Sequence, residues 1–284
     1  MTKHVKKKPC IKFSSMLLFF KVNKMNILML GDVIAEPVVD SLCNNLPKIK
    51  KKYNIDFCVV NAENAALHGI SPSIANRLNN AGADVLTMGN HTFSRADDFK
   101  AISDMGFPII RPANYPPNSI GYGHILVEHG EITIAVINLI GRCFMDPCDC
   151  PYRTVDKLLE KIKNKAQIIL VDFHAEATSE KIAMGWWLDG KVSAVCGTHT
   201  HVQTSDEKIL PQGTGYITDL GMVGATNSVL GVNKDKILKY LIDRFPEKKA
   251  PGDGPVEICG IVAEIDENTG KCLQIQRIRE SAIG

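Results

Sequence analysis

The sequence predicts an α/β fold in which two mixed sheets pack face to face with helices outside them. From residue 26 onward, short apolar runs typical of buried strands alternate with stretches that have a helical period. Two pairs of neighbouring apolar runs have the short polar connections of antiparallel hairpins, which indicates mixed rather than purely parallel sheets. The chain has 284 residues, 45% of them hydrophobic and 23% charged, so it can supply a large buried core.

The individual elements follow from the same patterns. Strands are expected at residues 26–30, 57–60, 85–88, 132–138, 167–171, 192–196 and 215–218. Helices are expected at residues 37–52, 72–81, 96–105, 154–163 and 179–187. The hairpins pair residues 125–128 with 132–137 and residues 256–265 with 272–278. Pro37 and Pro72 are suited to a first helical turn, and Gly82 and Gly106 to helix ends. Residues 250–255, rich in Pro and Gly, are expected to be a surface loop.

Residues 1–24 are expected to be a disordered extension or the product of an upstream start codon, which leaves residues 25–284 as a single domain. Their apolar stretch, residues 16–20, is shorter than the roughly 7–15 residues of a signal-peptide core. A weak targeting or membrane-surface segment is the alternative. Because no apolar run approaches the ~20 residues of a membrane span, we expect a cytoplasmic protein with no membrane partner.

Charge and cysteine content narrow the class of protein further. The formal net charge is only +2, and no dense basic stripe argues for a general nucleic-acid surface, so nucleic acid remains an undecided partner. The nine cysteines are scattered, as in a protein from a reducing compartment. Cys143, Cys148 and Cys150 have a C-x4-C-x-C spacing that is not a usual zinc spacing. We interpret this segment as a loop, with a metal or redox role as the alternative.

Seven residues of the types that bind metals each come just after a hydrophobic run. They are Asp32, Glu63, Asn64, Asn90, His174, His199 and His201. In open α/β sheets, ligands bind at the carboxyl ends of the strands, which is where these residues are expected. Carboxylate, amide oxygen and imidazole together suit Mn, Fe or Zn rather than Ca or a thiolate zinc site. The pattern therefore predicts a metal centre, with two ions, and a hydrolytic reaction.

The local signals differ in strength. The H-x-H pair of His199 and His201 is the sharpest, because residues i and i+2 of an extended strand face the same side and could converge on one cluster. Burying the Glu63 carboxylate requires an ion pair or a metal, and its two oxygens could bridge two cations. Taken alone, Asp32 could equally be a helix cap. His91, beside Asn90, is expected to point into the pocket as a general acid.

The motifs GDVIAEP, NAENAA, GNHTF, DFHAEATSEK, GTHTHVQTSD and YITDLGM occur in the order found in a known family. From residue 25 to its end the chain resembles the calcineurin-like metallophosphoesterases, and more closely the YmdB-type bacterial phosphodiesterases. The resemblance implies a four-layer α/β/β/α sandwich and two divalent or trivalent transition-metal ions, Fe or Mn, with Zn as an alternative. It implies that the seven residues are the metal ligands, that Glu63 bridges the ions and that His91 is the general acid. The implied substrate is a small phosphodiester such as a 2′,3′- or 3′,5′-cyclic nucleotide, attacked by a metal-bridging hydroxide.

Some residues depart from the wider superfamily and leave the substrate preference open. Ile34 stands where His is usual in the first motif, and Glu63 where Asp is usual in the second, while Leu67 and His68 are also atypical. A phosphomonoesterase or nucleotidase, and a metal-stabilised regulatory or binding protein with weak hydrolysis, are the alternative functions. The resemblance and the adjacent Trp186 and Trp187 also suggest a homo-oligomer. Asp172, Glu176 and Asp206 are candidates for orienting the histidines.

Overall fold

The computed structural model describes residues 23–162 and 164–282, so the predicted extension lies outside it except for residues 23 and 24. The strands are β1 Lys24–Leu30, β2 Asp32–Val33, β3 Phe57–Asn61, β4 Val85–Thr87, β5 Ile109–Ile110, β6 His124–His129, β7 Ile132–Ile140, β8 Ile168–His174, β9 Ala194–Thr198, β10 Lys208–Ile209, β11 Gly215–Ile217, β12 Met222–Asn233, β13 Pro251–Asp266 and β14 Cys272–Ser281. The helices are α1 Glu36–Lys52, α2 Pro72–Asn80, α3 Ala96–Asp104, α4 Pro151–Ile162, α5 Thr178–Leu188 and α6 Lys234–Asp243.

These strands form two mixed sheets. The first has the order β2-β12-β13-β1-β3-β4-β5, with β14 also paired to β13. Its β1, β3, β4 and β5 are parallel, whereas β13 is antiparallel to each of β1, β12 and β14. The second sheet has the order β10-β11-β9-β8-β7-β6, with antiparallel pairs at both edges and parallel strands between them. The prediction of two mixed sheets is confirmed.

Three apolar clusters show how the layers stack. One joins the first sheet to α1, α2 and α3, through residues such as Leu42, Ile74 and Phe99. A second lies between the sheets and joins Ile27 and Val59 of one to residues such as Val136, Leu170 and Cys196 of the other. A third joins the second sheet to α4 and α5. The order of layers is therefore α/β/β/α, as the resemblance implies.

Local chemistry explains why the predicted elements begin and end where they do. Pro37 and Pro72 both lie in first helical turns, and the Ser71 hydroxyl caps α2 by accepting the Ile74 N–H at 3.4 Å. Gly82 and Gly106, which follow α2 and α3, have φ of 107° and 71°, values that glycine adopts without strain. Both predicted hairpins form, as β6–β7 and β13–β14.

Other expectations need correction. The sequence prediction lacks β12 and α6, and residues 251–255 belong to β13 rather than to a surface loop.

The side chains of Trp186 and Trp187 are 54% and 45% exposed, so much of their surface faces solvent. The cysteines of the β7–α4 connection are free, and no metal-ligand group within the described part of the chain includes them. Among the described helices, none is both long enough and apolar enough to cross a membrane.

Candidate metal centre

The structure brings the seven predicted residues together where the carboxyl ends of both sheets meet. From the first sheet, Asp32 opens β2, Glu63 and Asn64 follow β3, and Asn90 follows β4. From the second sheet, His174 is the last residue of β8, and His199 and His201 follow β9. The site therefore lies across the junction of the two sheets, and neither sheet alone could form it.

Two groups of ligand-type atoms share one carboxylate. Glu63, His174 and His199 each offer one atom, and these atoms lie within 4.8 Å of one another. Asp32, Glu63 and His201 form a second group with the same property. Asp32, Glu63 and His174 are buried, while His199 and His201 are half-buried. Glu63 belongs to both groups, which is the geometry expected of a carboxylate that bridges two ions.

The atoms of the first group converge around one nitrogen. His174 Nε2 lies 3.3 Å from Glu63 Oε2, 3.0 Å from His199 Nδ1 and 2.9 Å from Asn90 Oδ1. Asn90 thus directs its amide oxygen into the group. Asn64 differs, because its amide nitrogen donates to Glu63 Oε1 at 2.7 Å and lies 3.4 Å from His201 Nε2. In this arrangement Asn64 is a hydrogen-bond partner of Glu63, and its oxygen is not directed at the centre.

Asp32 provides the clearest indication that the centre binds a cation. Its Oδ2 accepts a hydrogen bond from the His199 backbone N–H at 3.1 Å. Its Oδ1 is buried and finds no hydrogen-bond partner among the described residues, and it lies 3.7 Å from His174 Nδ1 and 3.9 Å from His201 Nε2. An unpaired buried carboxylate oxygen is costly, so this atom fits a group that needs a bound cation.

The two histidines of the H-x-H motif are held differently from the prediction. β9 ends at Thr198, and His199 and His201 follow it with φ of 98° and 63°, in the left-handed region rather than on an extended strand. Each histidine joins a different one of the two groups, and both groups include Glu63. His199 Nε2 lies 3.1 Å from Glu176 Oε2, and His201 Nδ1 lies 3.1 Å from the Leu230 carbonyl oxygen.

The ionisable side chains of the site shift one another's pKa values. Burial raises the pKa of Asp32 to about 6. Burial also favours a higher pKa for Glu63, but His174 and His91 hold that pKa down at about 2. Burial would lower the pKa of His174, yet the Glu63 and Asp32 carboxylates raise it to about 9. Burial and the adjacent His174 lower the pKa of His199 to about 3. The two carboxylates therefore favour the protonated, positively charged form of His174.

Outer hydrogen bonds fix the ring of His174. Thr198 Oγ1 lies 2.9 Å from His174 Nδ1 and donates to the buried Asp172 Oδ1 at 2.7 Å. Asp172 Oδ2 in turn accepts from Asn61 Nδ2 at 3.0 Å and from the Thr87 hydroxyl at 2.5 Å. Of the three carboxylates considered from the sequence, Asp172 acts on a histidine through Thr198 and Glu176 contacts one directly. Asp206 bonds Thr204 and Thr218 instead.

A buried ion pair that the sequence prediction missed supports the histidine loop. Lys181 Nζ of α5 lies 2.6 Å from Asp219 Oδ2, and both side chains are almost fully buried. The same oxygen accepts from the backbone N–H and the hydroxyl of Thr200, the residue between the two histidines. Asp219 follows β11 much as the other site residues follow their strands, and this position was the available signal.

His91 and Gly89 lie directly beside Glu63. The His91 backbone N–H donates to Glu63 Oε2 at 3.1 Å, while its half-buried ring lies 4.2 Å from the His68 ring and outside both ligand groups. Burial lowers the pKa of His91.

At Gly89, an added Cβ would lie 2.4 Å from both Glu63 Oε2 and His174 Nε2, so only glycine leaves room for this arrangement. Three features of the site fit bound transition-metal ions. Asp32 has an unpaired oxygen, Gly89 leaves space beside Glu63 and His174, and the donors combine oxygen with imidazole.

A cavity of about 360 Å³ opens over the centre. Its polar side includes Glu63, His91 and His201. Its lining also includes Val229, Leu230 and Val232 of β12, Ile237 of α6 and Lys249 of the segment after α6, together with Ile34, Leu67 and His68. The sequence prediction contained neither β12 nor α6, so it missed this part of the lining.

The α/β/β/α layers and the carboxylate–imidazole cluster at the joint carboxyl ends define the metallophosphoesterase class of hydrolytic enzymes. Within that class the chain belongs to the YmdB-like protein family, whose profile matches residues 28–278. The assignment made from the sequence motifs is therefore confirmed.

Individual relatives agree with the family. The chain is 43% identical over 255 residues to the 2′,3′-cyclic-nucleotide 2′-phosphodiesterase of Bacillus subtilis, covering 89% of this chain and 96% of that protein. A crystal structure of a phosphatase from Mycoplasma pneumoniae is 32% identical with a TM-score of 0.86, covering 92% of this chain and 94% of that one. A hypothetical protein from Thermus thermophilus is 37% identical with a TM-score of 0.84, covering 91% of this chain and 100% of that one.

Proposed function

We propose that the protein is a metal-dependent phosphodiesterase that binds two transition-metal ions and hydrolyses 2′,3′-cyclic nucleotides. The observation that carries the proposal is the position of Glu63, whose carboxylate belongs to both groups of ligand-type atoms. The name of the Bacillus subtilis relative supports the choice of substrate. A cyclic nucleotide is also small enough to enter the cavity of about 360 Å³ that opens over the centre.

The residues divide into two ligand sets under this proposal. Asp32, Glu63 and His201 would hold one ion. Glu63, His174 and His199 would hold the other, with the Asn90 oxygen beside His174. When bound, the ions would supply Lewis-acid chemistry, which makes water a nucleophile near neutral pH and offsets charge on the phosphoryl oxygens.

His91 would supply the proton that the leaving oxygen needs. Hydrolysis of a 2′,3′-cyclic nucleotide forms a bond between water oxygen and phosphorus and breaks the bond from phosphorus to the ribose 2′ oxygen. That oxygen must gain a proton as it leaves. His91 lines the cavity without belonging to either ligand group, so its ring is placed to donate a proton to a bound substrate. Its Nδ1 lies 3.3 Å from the Ser94 hydroxyl, which would help to orient the ring.

The test measures hydrolysis of 2′,3′-cyclic AMP, 3′,5′-cyclic AMP and bis-p-nitrophenyl phosphate by Mn²⁺-loaded protein, with a chelator control. The expected result is chelator-sensitive turnover of diesters that exceeds turnover of p-nitrophenyl phosphate, with 2′,3′-cyclic AMP preferred. Faster turnover of the monoester would instead support a phosphomonoesterase.

Glu63→Gln tests the bridging role, because an amide has one oxygen and no charge to share between two ions. We expect it to abolish turnover and to lower the metal content from two ions per chain. Glu128→Gln, at an exposed position of β6, is the matched control and should retain both. Near-wild-type turnover of Glu63→Gln would show that the bridging assignment is wrong.

A further inference from the structure

Two leucines that line the cavity have backbones that leucine rarely adopts. Leu67, in the loop after β3, has φ of 68°, and Leu230, within β12, has φ of 53°. Both lie in the left-handed region, where an L-residue with a branched side chain is strained and glycine is not. Both side chains line the cavity of about 360 Å³ over the candidate centre. Strained residues at a ligand site indicate that the side chain itself is needed there.

Leu230 is one of four aliphatic residues of β12 and α6 that line the cavity, a set that we call the aliphatic wall. Val229 and Val232 of β12 and Ile237 of α6 line the same cavity, and none of their side chains carries a hydrogen-bonding group. Leu230 remains 45% exposed, so a large part of its apolar surface is available to a ligand. The backbone of this wall also contacts the centre, because the Leu230 carbonyl oxygen lies 3.1 Å from His201 Nδ1.

The polar and apolar sides of the cavity match the two ends of a cyclic nucleotide. The phosphodiester must lie at the polar side, where Glu63, His91 and His201 are located. The remainder of the substrate is a ribose and a flat base with two apolar faces. Burial of such a face against aliphatic side chains is favourable, and nucleotide-binding enzymes commonly hold a base between apolar groups.

We propose that Leu67 and Leu230, with Val229, Val232 and Ile237, form a subsite that binds the nucleobase of the substrate. This inference rests on the proposed cyclic-nucleotide activity and adds the residues that distinguish a nucleotide from other cyclic phosphodiesters. Because aliphatic side chains contact the faces of a base and cannot read its edges, the wall recognises a base without selecting one base over another.

The experiment compares 2′,3′-cyclic AMP with ethylene phosphate, which has the same five-membered cyclic diester but no nucleoside. The quantity measured is the ratio of their kcat/KM values in the metal-loaded protein. We expect this ratio to fall at least about 10-fold in Leu230→Gly and in Leu67→Gly, because each loses apolar contact with the base. The thermal midpoint of unfolding should stay unchanged or rise, since glycine relieves the backbone strain. A role limited to folding predicts a lower midpoint and an unchanged ratio.

Arg244→Gly is the matched control, because Arg244 at the end of α6 has φ of 55° but lies outside the cavity lining. It should leave the ratio unchanged. Adenosine binding to chelator-treated protein, followed by ligand-detected NMR, gives a readout independent of turnover and should weaken in both leucine variants.

The outcomes separate the two proposals. If the wild-type protein hydrolyses both diesters and the leucine variants retain its ratio and its adenosine binding, the subsite is refuted while the activity stands. If the metal-loaded protein hydrolyses neither diester, the proposed function fails and the subsite inference falls with it. A lower ratio, weaker adenosine binding and an unchanged midpoint together support the subsite.

Discussion

Metal binding at this centre should displace a proton from His174. In the metal-free protein the Glu63 and Asp32 carboxylates raise the pKa of His174 to about 9, although burial opposes this. Only a neutral imidazole has a lone pair to offer a metal, so the ion and the proton compete for His174. The affinity for metal ions should therefore depend on pH, and this dependence can be measured without any substrate.

The number of protons released on metal binding follows from the shifted pKa values of His174, His199 and Asp32. At pH 7 a histidine with a pKa of about 9 is almost fully protonated, which weakens metal binding about 100-fold relative to alkaline pH. His199, with its pKa lowered to about 3, is already neutral and releases no proton. Asp32, with its pKa raised to about 6, is mostly ionised at pH 7 and about half protonated at pH 6. We expect release of about one proton per chain at pH 7 and about 1.5 at pH 6.

The assay is titration calorimetry of Mn²⁺ into chelator-treated protein, in buffers of equal pH but different ionisation enthalpy. The dependence of the observed heat on that enthalpy gives the number of protons released. Ionisation of a metal-bound water would give the opposite trend, with more release as the pH rises. Two results would refute the prediction that an ion displaces a proton from His174. One is no proton release at pH 7, and the other is a metal affinity that does not change between pH 6 and pH 8.

Two substitutions test the surroundings of the centre. Gly89→Ala should lower the retained metal by at least about 10-fold in affinity, because its Cβ would lie 2.4 Å from atoms of Glu63 and His174; metal analysis after dialysis measures this. Gly106→Ala is the control for a loss of stability alone, because its φ of 71° strains alanine while the added Cβ meets nothing within 4 Å; equal metal content in both variants would contradict the reasoning. Lys181→Met should lower the free energy of unfolding by about 3–5 kcal/mol in urea titrations, because it leaves the buried Asp219 carboxylate without its cation. A loss below about 1 kcal/mol would mean that the Thr200 hydrogen bonds are sufficient.

The sequence was most informative where hydrophobic pattern and chemistry agreed. Each predicted strand that precedes a ligand-type residue forms, because a buried parallel strand needs a continuous apolar run and its carboxyl end marks the site. Glu63 was predictable for the same reason, since a carboxylate directly after a buried strand requires a partner. The two mixed sheets were expected because apolar runs in parallel βα units alternate with hairpins along the chain, and both sheets indeed combine parallel strands with a hairpin.

The parts that failed depend on tertiary contacts. The apolar residues of α6 gave no clear signal, because none of its described side chains is buried and its pattern resembles no core helix. Residues 251–255 contain Pro and Gly that favour loops, yet pairing with β12 holds them in β13. The prediction for His199 and His201 assumed that both lie on an extended strand. In the structure the Asp219 carboxylate accepts a hydrogen bond from the Thr200 N–H, and both histidines have positive φ.

The wide spacing of the site residues along the chain determines when the centre can be assembled. Asp32 and His199, joined by a hydrogen bond, are 167 residues apart, so no short segment can hold an ion as a zinc finger does. During synthesis the ligand set stays incomplete until residue 201 has emerged and both sheets have docked. An ion at this centre would contact residues of both sheets, so its binding would depend on the docking of the two sheets and would stabilise it.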